Sequence, residues 1–464
     1  MTAFWWILLC YMIGLPFSLI GEGDYLLAFS FYLNGILFAY MSWTSLLKKD
    51  YGPAYATVNI FLLLFFYVAP IYQIIEYRET LINNYNPPFS QMILANIFIF
   101  LFTAIFLIVY KRRIAVVHKP LLKISDEKIQ GAFPILVLLS VFAAAWAFET
   151  MRTSAVTIDD DAAMVGDILI TIRHKVAFVV PFATLGFYLC RKNMKRSLIV
   201  IGFLILLTLM TKNILMDRRN ALGPVYLSIL FLLVWKNRIS SGSVFVLVGS
   251  ALLFVFPITA IFINNPIDSW GDLLNFENIS REIRGHFVDM HYDAWANVVA
   301  AIQFVETEGL QLGRQLLGAL LFFFPRGMWA DKPISSGQML GDYLVLNHGL
   351  WFTNISFPFP AEGFVDFGVV GVLFYAMALG GYSQRLDYFV NRGGAVDRTS
   401  ALYFSFYLTF VMRGAFLPAF AYGVGAYIAM NVIPMLLTRF QLRSRYTAVP
   451  PALTGPANSA IGRP

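Results

Sequence analysis

The amino-acid sequence predicts an all-α polytopic membrane protein, on three observations. The 464-residue chain is 58% hydrophobic and 13% charged, with a mean hydropathy of +0.67, well to the apolar side of ordinary soluble domains. About twelve stretches of roughly 15 to 25 mostly apolar residues are long enough to cross a bilayer as helices. The basic residues, finally, collect in alternate loops between those stretches, which is the positive-inside pattern.

With the N-terminus in the cytoplasm, spans at 3–20, 25–46, 55–75, 91–110, 130–148, 171–190, 197–211, 220–235 and 243–263 form a first block over 1–263. The first apolar run lacks a basic n-region and a small-residue cleavage site, so it is read as a retained helix. Gly14 with Pro16, and Pro181, fall inside spans, where such residues are ordinary. A loop of about a hundred residues, 264–365, comes next, followed by spans at 366–384, 400–418 and 420–438 within 366–440. The tail over 441–464, rich in Pro, Gly and Ala from Ala448, is predicted to be disordered and cytoplasmic.

Lys48 and Lys49, the run from Lys111 to Lys128, Arg191 to Arg196, Lys236 with Arg238, Arg385 to Arg398 and Arg439 to Arg463 account for 21 of the 34 basic residues but only 5 of the 27 acids. The opposite side then carries 13 bases against 22 acids, so the net charge of +7 reports topology. Nucleic acid is not an expected partner. Cys10 and Cys190 both lie in predicted spans and imply neither a disulfide framework nor a metal site.

The long loop 264–365 is the exception among otherwise short connections, and loops of that length are functional or disordered. Trp270, Trp295, Trp329 and Trp351 argue against disorder. Ser280 to Glu306 reads as a helix with Arg281, Arg284, His291 and Trp295 on one stripe and Glu282, His286, Asp289 and Asp293 on another. Leu316 to Phe324 is apolar but too short to span, stops at Pro325, and reads as an interfacial or re-entrant segment. No internal repeat marks a transporter built of two halves.

The bases on the acidic side are few, and several sit at span edges: Arg173 with Lys175, Arg218 with Arg219, and Arg413 inside the apolar run Leu402 to Phe420. An Arg within a span costs about 2.5–3.5 kcal/mol on insertion scales, so something anionic must offset it. Pairing with acids such as Asp217 or Asp366 is one solution. A shared anionic ligand is the other, and a guanidinium fork at a dehydrated interface matches phosphate oxygens well. Asp159, Asp160 and Asp161 lack a regular ligand spacing and read as a solvated charge run. His286, His291 and Glu362 are the candidate bases, each equally suited to a structural hydrogen bond. Trp295, Trp329 and Trp351 suit either stacking on sugars or an aromatic belt at the membrane interface, the belt being favoured.

The stretch from Phe324 to Pro333, with Pro325, Arg326, Trp329, Lys332 and Pro333, followed by Glu362, Phe367, Gly368 and Gly371 at the start of a membrane helix, resembles the Wzy-type O-antigen and oligosaccharide repeat-unit polymerases. That resemblance implies a GT-C-like glycosyltransferase of the bacterial inner membrane, with its active site in a large periplasmic loop. It implies transfer of a growing glycan from undecaprenyl pyrophosphate onto a new lipid-linked repeat unit, without a nucleotide, metal or other cofactor. A chain-length regulator of the polysaccharide co-polymerase type is the implied protein partner. The residues then expected to act are Glu362, His286, His291 and Arg326 in catalysis. Arg173, Arg218, Arg219, Arg281, Arg284, Lys332, Arg413 and Trp329 are expected to bind substrate. An O-antigen ligase that moves the glycan to lipid A-core, and a lipid-linked oligosaccharide flippase, are the alternatives.

The charge distribution yields a direct test. A reporter active only outside the cytoplasm is expected to be active when fused after Trp270 and silent when fused after Arg392. Identical behaviour of the two fusions would remove the loop assignment.

Overall fold

The structure of the protein is a computed structural model. It describes residues 10, 13–22, 25–48, 50–77, 80–112, 124–154, 176–191, 197–214, 219–235, 238–255 and 285–439, with the side chains at 20–22, 151–154, 219–220 and 254–255 outside that description. These residues are helical and turn structure, with no strand among them. Fourteen helices carry the argument below: α1 (Tyr25–Leu47), α2 (Pro53–Tyr77), α3 (Phe89–Arg112), α4 (Asp126–Ser154), α5 (Ala177–Leu189), α6 (Leu198–Thr211), α7 (Arg219–Val234), α8 (Ser241–Leu253), α9 (Ala294–Glu308), α10 (Arg314–Leu320), α11 (Ser336–His348), α12 (Phe359–Arg392), α13 (Ala395–Arg413) and α14 (Phe416–Arg439).

Six of them, α1, α2, α3, α12, α14 and the Asp126–Thr150 part of α4, are long and apolar enough to cross a membrane. The apolar runs predicted at 171–190, 197–211, 220–235 and 243–263 appear as the shorter helices α5 to α8. Among the described residues each covers fewer than the roughly 20 that a 30 Å hydrocarbon layer asks of an untilted helix. The span predicted at 400–418 is the helix α13, whose polar first half, with Asp397 and Arg398, keeps it outside the strongly apolar set. The first predicted span and the tail fall largely outside the described residues.

The helices pair through small residues and buried amides. A Cβ placed on Gly380 of α12 would sit 3.0 Å from the Phe106 carbonyl of α3, so the two backbones nearly touch. Asn96 of α3 accepts from the Trp295 indole at 2.9 Å and donates to Ser30 of α1 at 2.8 Å, while Asn34 donates to the Asn96 carbonyl at 3.0 Å. Trp295 is thus fully buried, stapling α9 to α1 and α3. It is neither a sugar platform nor part of an interfacial belt.

Besides these, hydrogen bonds between segments gather at two ends. At one end Asp387 accepts from the Ala54 and Tyr55 amides and the Tyr110 hydroxyl, Asp126 accepts from the Ala395 amide, and Arg398 donates to the Trp235 carbonyl. These are the segments whose basic residues the sequence assigns to one side. At the other end Gln73 donates to the Phe287 and Tyr292 carbonyls, Asn83 to Asn297 and Arg413 to Asp293.

The most constrained turn lies inside α12, where Phe367 (φ −138°, ψ 18°) and Gly368 (φ 61°, ψ −148°) leave helical geometry. Residues eight apart in a straight helix are separated by about 12 Å. Here a Cβ on Gly363 would instead lie 2.6 Å from the Gly371 carbonyl, and one on Gly371 would collide with the Gly363 carbonyl. Phe359 to Asp366 is therefore a short arm folded back on the long arm that continues to Arg392. Positive φ at Gly368 and contact at Gly363 and Gly371 all require glycine.

Gly371→Val is expected to lower the thermal midpoint of the detergent-solubilised protein well below that of Gly381→Val, a glycine of the same helix with nothing within 4 Å of its Cβ position. Overpacking of this kind costs about 1–3 kcal/mol, and more where the obstacle is backbone. Equal melting of the two variants would contradict the hairpin.

Candidate functional site

The second end of the bundle gathers the C-terminus of α13, the first turns of α9, α10, α11 and α14, and the short arm of α12. Asp293, the residue before α9, is 5% exposed. Its Oδ1 accepts from the Ser356 hydroxyl at 2.7 Å and from Arg413 Nη2 at 3.3 Å. Its Oδ2 accepts from the Asn297 amide at 3.0 Å and the Ser356 N–H at 3.2 Å. Four donors satisfy this buried carboxylate, which would otherwise be costly. Arg413 spends one nitrogen on Asp293, its Nε is buried with no partner, and its side chain is 36% exposed. The guanidinium thus has a contact to Asp293 through one nitrogen and donor capacity left over.

Asp366 does not pair with Arg413. It takes the Gln315 and Leu316 amides at 3.1 and 2.8 Å, capping the start of α10 from across the fold. Glu362, 1% exposed, accepts from the Phe416 amide at 2.6 Å and from the Ser336 hydroxyl, both through Oε1. It therefore ties the first residue of α14 to the first residue of α11.

The segment from Phe322 to Pro333 closes on itself. Arg326 donates to the Lys332 carbonyl at 2.8 Å, and Lys332 Nζ donates to the Phe322 and Phe324 carbonyls at 2.6 and 2.9 Å. Burial, and then the Arg326 charge beside it, push the Lys332 pKa below its ordinary value. Trp329 is half-buried in the turn, its amide donating to the Pro325 carbonyl at 3.2 Å. The expected apolar segment becomes α10 followed by turns, and Leu317, Leu320, Phe323 and Met328 stay exposed. Beside this loop, residues of α9, α10 and α11 line an open cavity of about 530 Å³, with Arg314 and Lys332 among them.

The two histidines stand apart from these groups. His286 Nε2 is 3.2 Å from the Tyr292 hydroxyl, and His291 lies 3.9 Å from Asp289 with both side chains exposed. The helix predicted over Ser280 to Glu306 is broken at 289–293, because Asp289 accepts from the Met290 amide and begins a 3-10 turn over Met290–Tyr292. Among the described residues of the two polar stripes, His286 therefore precedes the break and Trp295 follows it. Arg173, Arg218, Arg281 and Arg284, the side chain of Arg219, and Asp159 to Asp161 lie outside the described residues.

Comparison with known proteins returns nothing: no family model, curated protein or solved structure matches the chain. The site is therefore read from its own chemistry.

Sequence reading singled out Arg413 but missed the cluster it joins, since Ser356 and Asn83 carry no signal of their own. Asn83 reaches the cluster by donating to Asn297 at 3.0 Å. It also passed over His348, whose Nε2 is buried without a partner between the Tyr85 and Tyr343 rings, at 4.9 and 5.9 Å. Burial lowers the His348 pKa.

Because the folded-state value lies below the unfolded one, the unfolded chain binds more protons in the window below the ordinary value of about 6.5, and stability falls as pH drops through it. Thermal midpoints of the wild-type protein are expected to fall between pH 7.5 and 5.5, and less steeply in His348→Phe. A parallel decline in both would remove His348 from the acid response.

Proposed function

We propose that this protein is a glycosyltransferase, a polysaccharide polymerase that moves a growing glycan from undecaprenyl pyrophosphate onto a new lipid-linked repeat unit at the periplasmic face of the bacterial inner membrane. The observation that carries the reading is Arg413, a part-exposed guanidinium at the end of a bundle helix, bonded to the buried Asp293 and left with donors to spare. In this reading the acceptor hydroxyl oxygen attacks the anomeric carbon of the donor glycan. The C–O bond to the lipid pyrophosphate breaks as the new glycosidic bond forms, and the hydroxyl proton leaves to a base. Charge grows on the departing pyrophosphate, and a preoriented guanidinium stabilises that charge more than it stabilises the bound substrate.

Arg326 supports the same reading from the loop, an exposed cation beside the partly buried Lys332, with both donating to backbone carbonyls. Glu362, with two donors on one oxygen, serves in this reading to position Phe416 and Ser336. His286 and His291 remain as bases near the start of α9. The bilayer holds both lipid-linked substrates, with the co-polymerase regulator as the protein partner. Twelve spans, cytoplasmic termini and a periplasmic loop over 264–365 belong to the same proposal.

Deletion of the gene is expected to leave single repeat units capped on the surface acceptor and no ladder of longer chains, with the ladder restored by the wild-type protein. Arg413→Lys should restore part of it, keeping charge without the fork, and Arg413→Ala and Arg326→Ala should fail. Loss of one donor to a developing anion costs about 3 kcal/mol, roughly a hundredfold in rate. A ladder that persists in the deletion strain removes the polymerase reading. Polymer stranded on undecaprenyl pyrophosphate would instead mark a ligase, and units trapped at the cytoplasmic face a flippase.

A further inference from the structure

The cavity between α9, α10 and α11 is built differently from the surroundings of Arg413. Its volume, about 530 Å³, falls within the roughly 300–1,000 Å³ of small-molecule sites. Two bases, Arg314 and Lys332, are balanced by two acids, Glu308 and Asp331, so its formal charge is zero. Both bases already donate to backbone: Arg314 to the Asp331 carbonyl at 2.9 Å, and Lys332 to the Phe322 and Phe324 carbonyls. A doubly charged phosphate brought here meets no excess positive charge and two nearby carboxylates.

The remaining walls are made of other chemistry. Gln311, Gln315 and Asn347 add amides. Of these, Gln315 donates to Met339 Sδ at 3.1 Å and Asn347 to the Tyr343 carbonyl at 2.9 Å, while their carbonyl oxygens stay available as acceptors. Phe304 and Tyr343 add rings packed edge to face at 5.5 Å. Carboxylates accept from hydroxyls, amides both donate and accept, and aromatic rings cover C–H faces. That set matches an uncharged polyol with alternating polar edges and apolar faces.

We infer that this cavity binds the neutral carbohydrate part of the lipid-linked substrate, a short run of sugar residues, at a place distinct from the guanidinium that takes the pyrophosphate. The inference deepens the polymerase reading and rests on it for the identity of the sugar's carrier. The balance of charge and the amide-rich lining are what separate the two subsites.

The test uses the full-length wild-type protein in nanodiscs and two probes: the delipidated repeat-unit oligosaccharide released from the strain's own surface polysaccharide, and inorganic pyrophosphate. Gln311→Ala and Asn347→Ala are expected to weaken oligosaccharide binding about tenfold each, the worth of one well-placed hydrogen bond, and to leave pyrophosphate binding unchanged. Arg413→Ala should do the reverse. Hydrogen exchange on the wild-type protein guards against variants that fail to fold, because the oligosaccharide should protect 304–315 and 331–347. Unchanged oligosaccharide affinity in both cavity variants, absence of that protection, or no oligosaccharide binding by the wild type would each overturn the inference. The ladder assay judges the polymerase reading separately, since a protein can make polymer while this cavity stays empty of sugar.

Discussion

Two carboxylates one helical turn apart, Glu362 and Asp366, fix the architecture of the second end. Residues four apart on a helix share a face, yet these two reach different elements, Asp366 the first amides of α10 and Glu362 the first amide of α14 together with Ser336. Both are buried, and a buried carboxylate is tolerated only when donors surround it. Helix N-termini supply those donors and a favourable dipole at once. The arrangement works only because the arm that bears both acids turns back at Gly368, presenting one face to three helices. Removing the turn would carry both carboxylates away from their partners, because both lie on the arm before it.

The same requirement explains why the described part of the long segment after the ninth apolar run, from residue 285 on, packs into the bundle. Residues 294–302 are buried along the whole run, which Ala294, Ala296, Ala300 and Ala301 permit by their size. An apolar surrounding makes each unmet hydrogen bond expensive, and the interior answers with amides: Asn96 to Trp295, Asn34 and Ser30, and Asn297 to Asp293, Ser356 and Asn83. These bonds hold α9 inside the fold, and with it the position of Asp293.

Helix class and approximate spans were legible because apolar runs of this length leave few alternatives, and the runs at 25–46, 55–75, 91–110 and 130–148 coincide with described helices to within a few residues at most of their ends. The break at 289–293 was not, because helical spacing of polar residues continues through it and only the Asp289 side chain, bonding its neighbour's amide, interrupts the turn. Gly368 and Gly371 stood out as part of a motif, but the motif does not say that Gly371 packs against Gly363. Arg413 was legible as an uncompensated charge in an apolar run. Its partner was not, because Asp293 lies 120 residues away in sequence and Asp366, nearer in the chain, is already spent on α10.

Arg413 and the cavity have separate linings but a common support. The Asp293 carboxylate that accepts from Arg413 also holds the Ser356 amide and hydroxyl. The residues just before Ser356 lie directly under α11: a Cβ on Gly341 would collide with the Thr353 carbonyl, and one on Gly337 with the Ile355 carbonyl. From the other face of the same helix, Met339, Tyr343 and Asn347 line the cavity. Backbone-to-backbone contact of this kind transmits displacement with little slack, since neither glycine nor carbonyl has a rotamer to absorb it. Arg413, the 353–356 segment and the α11 wall of the cavity therefore form one chain of direct contacts, linked through Asp293 and Ser356.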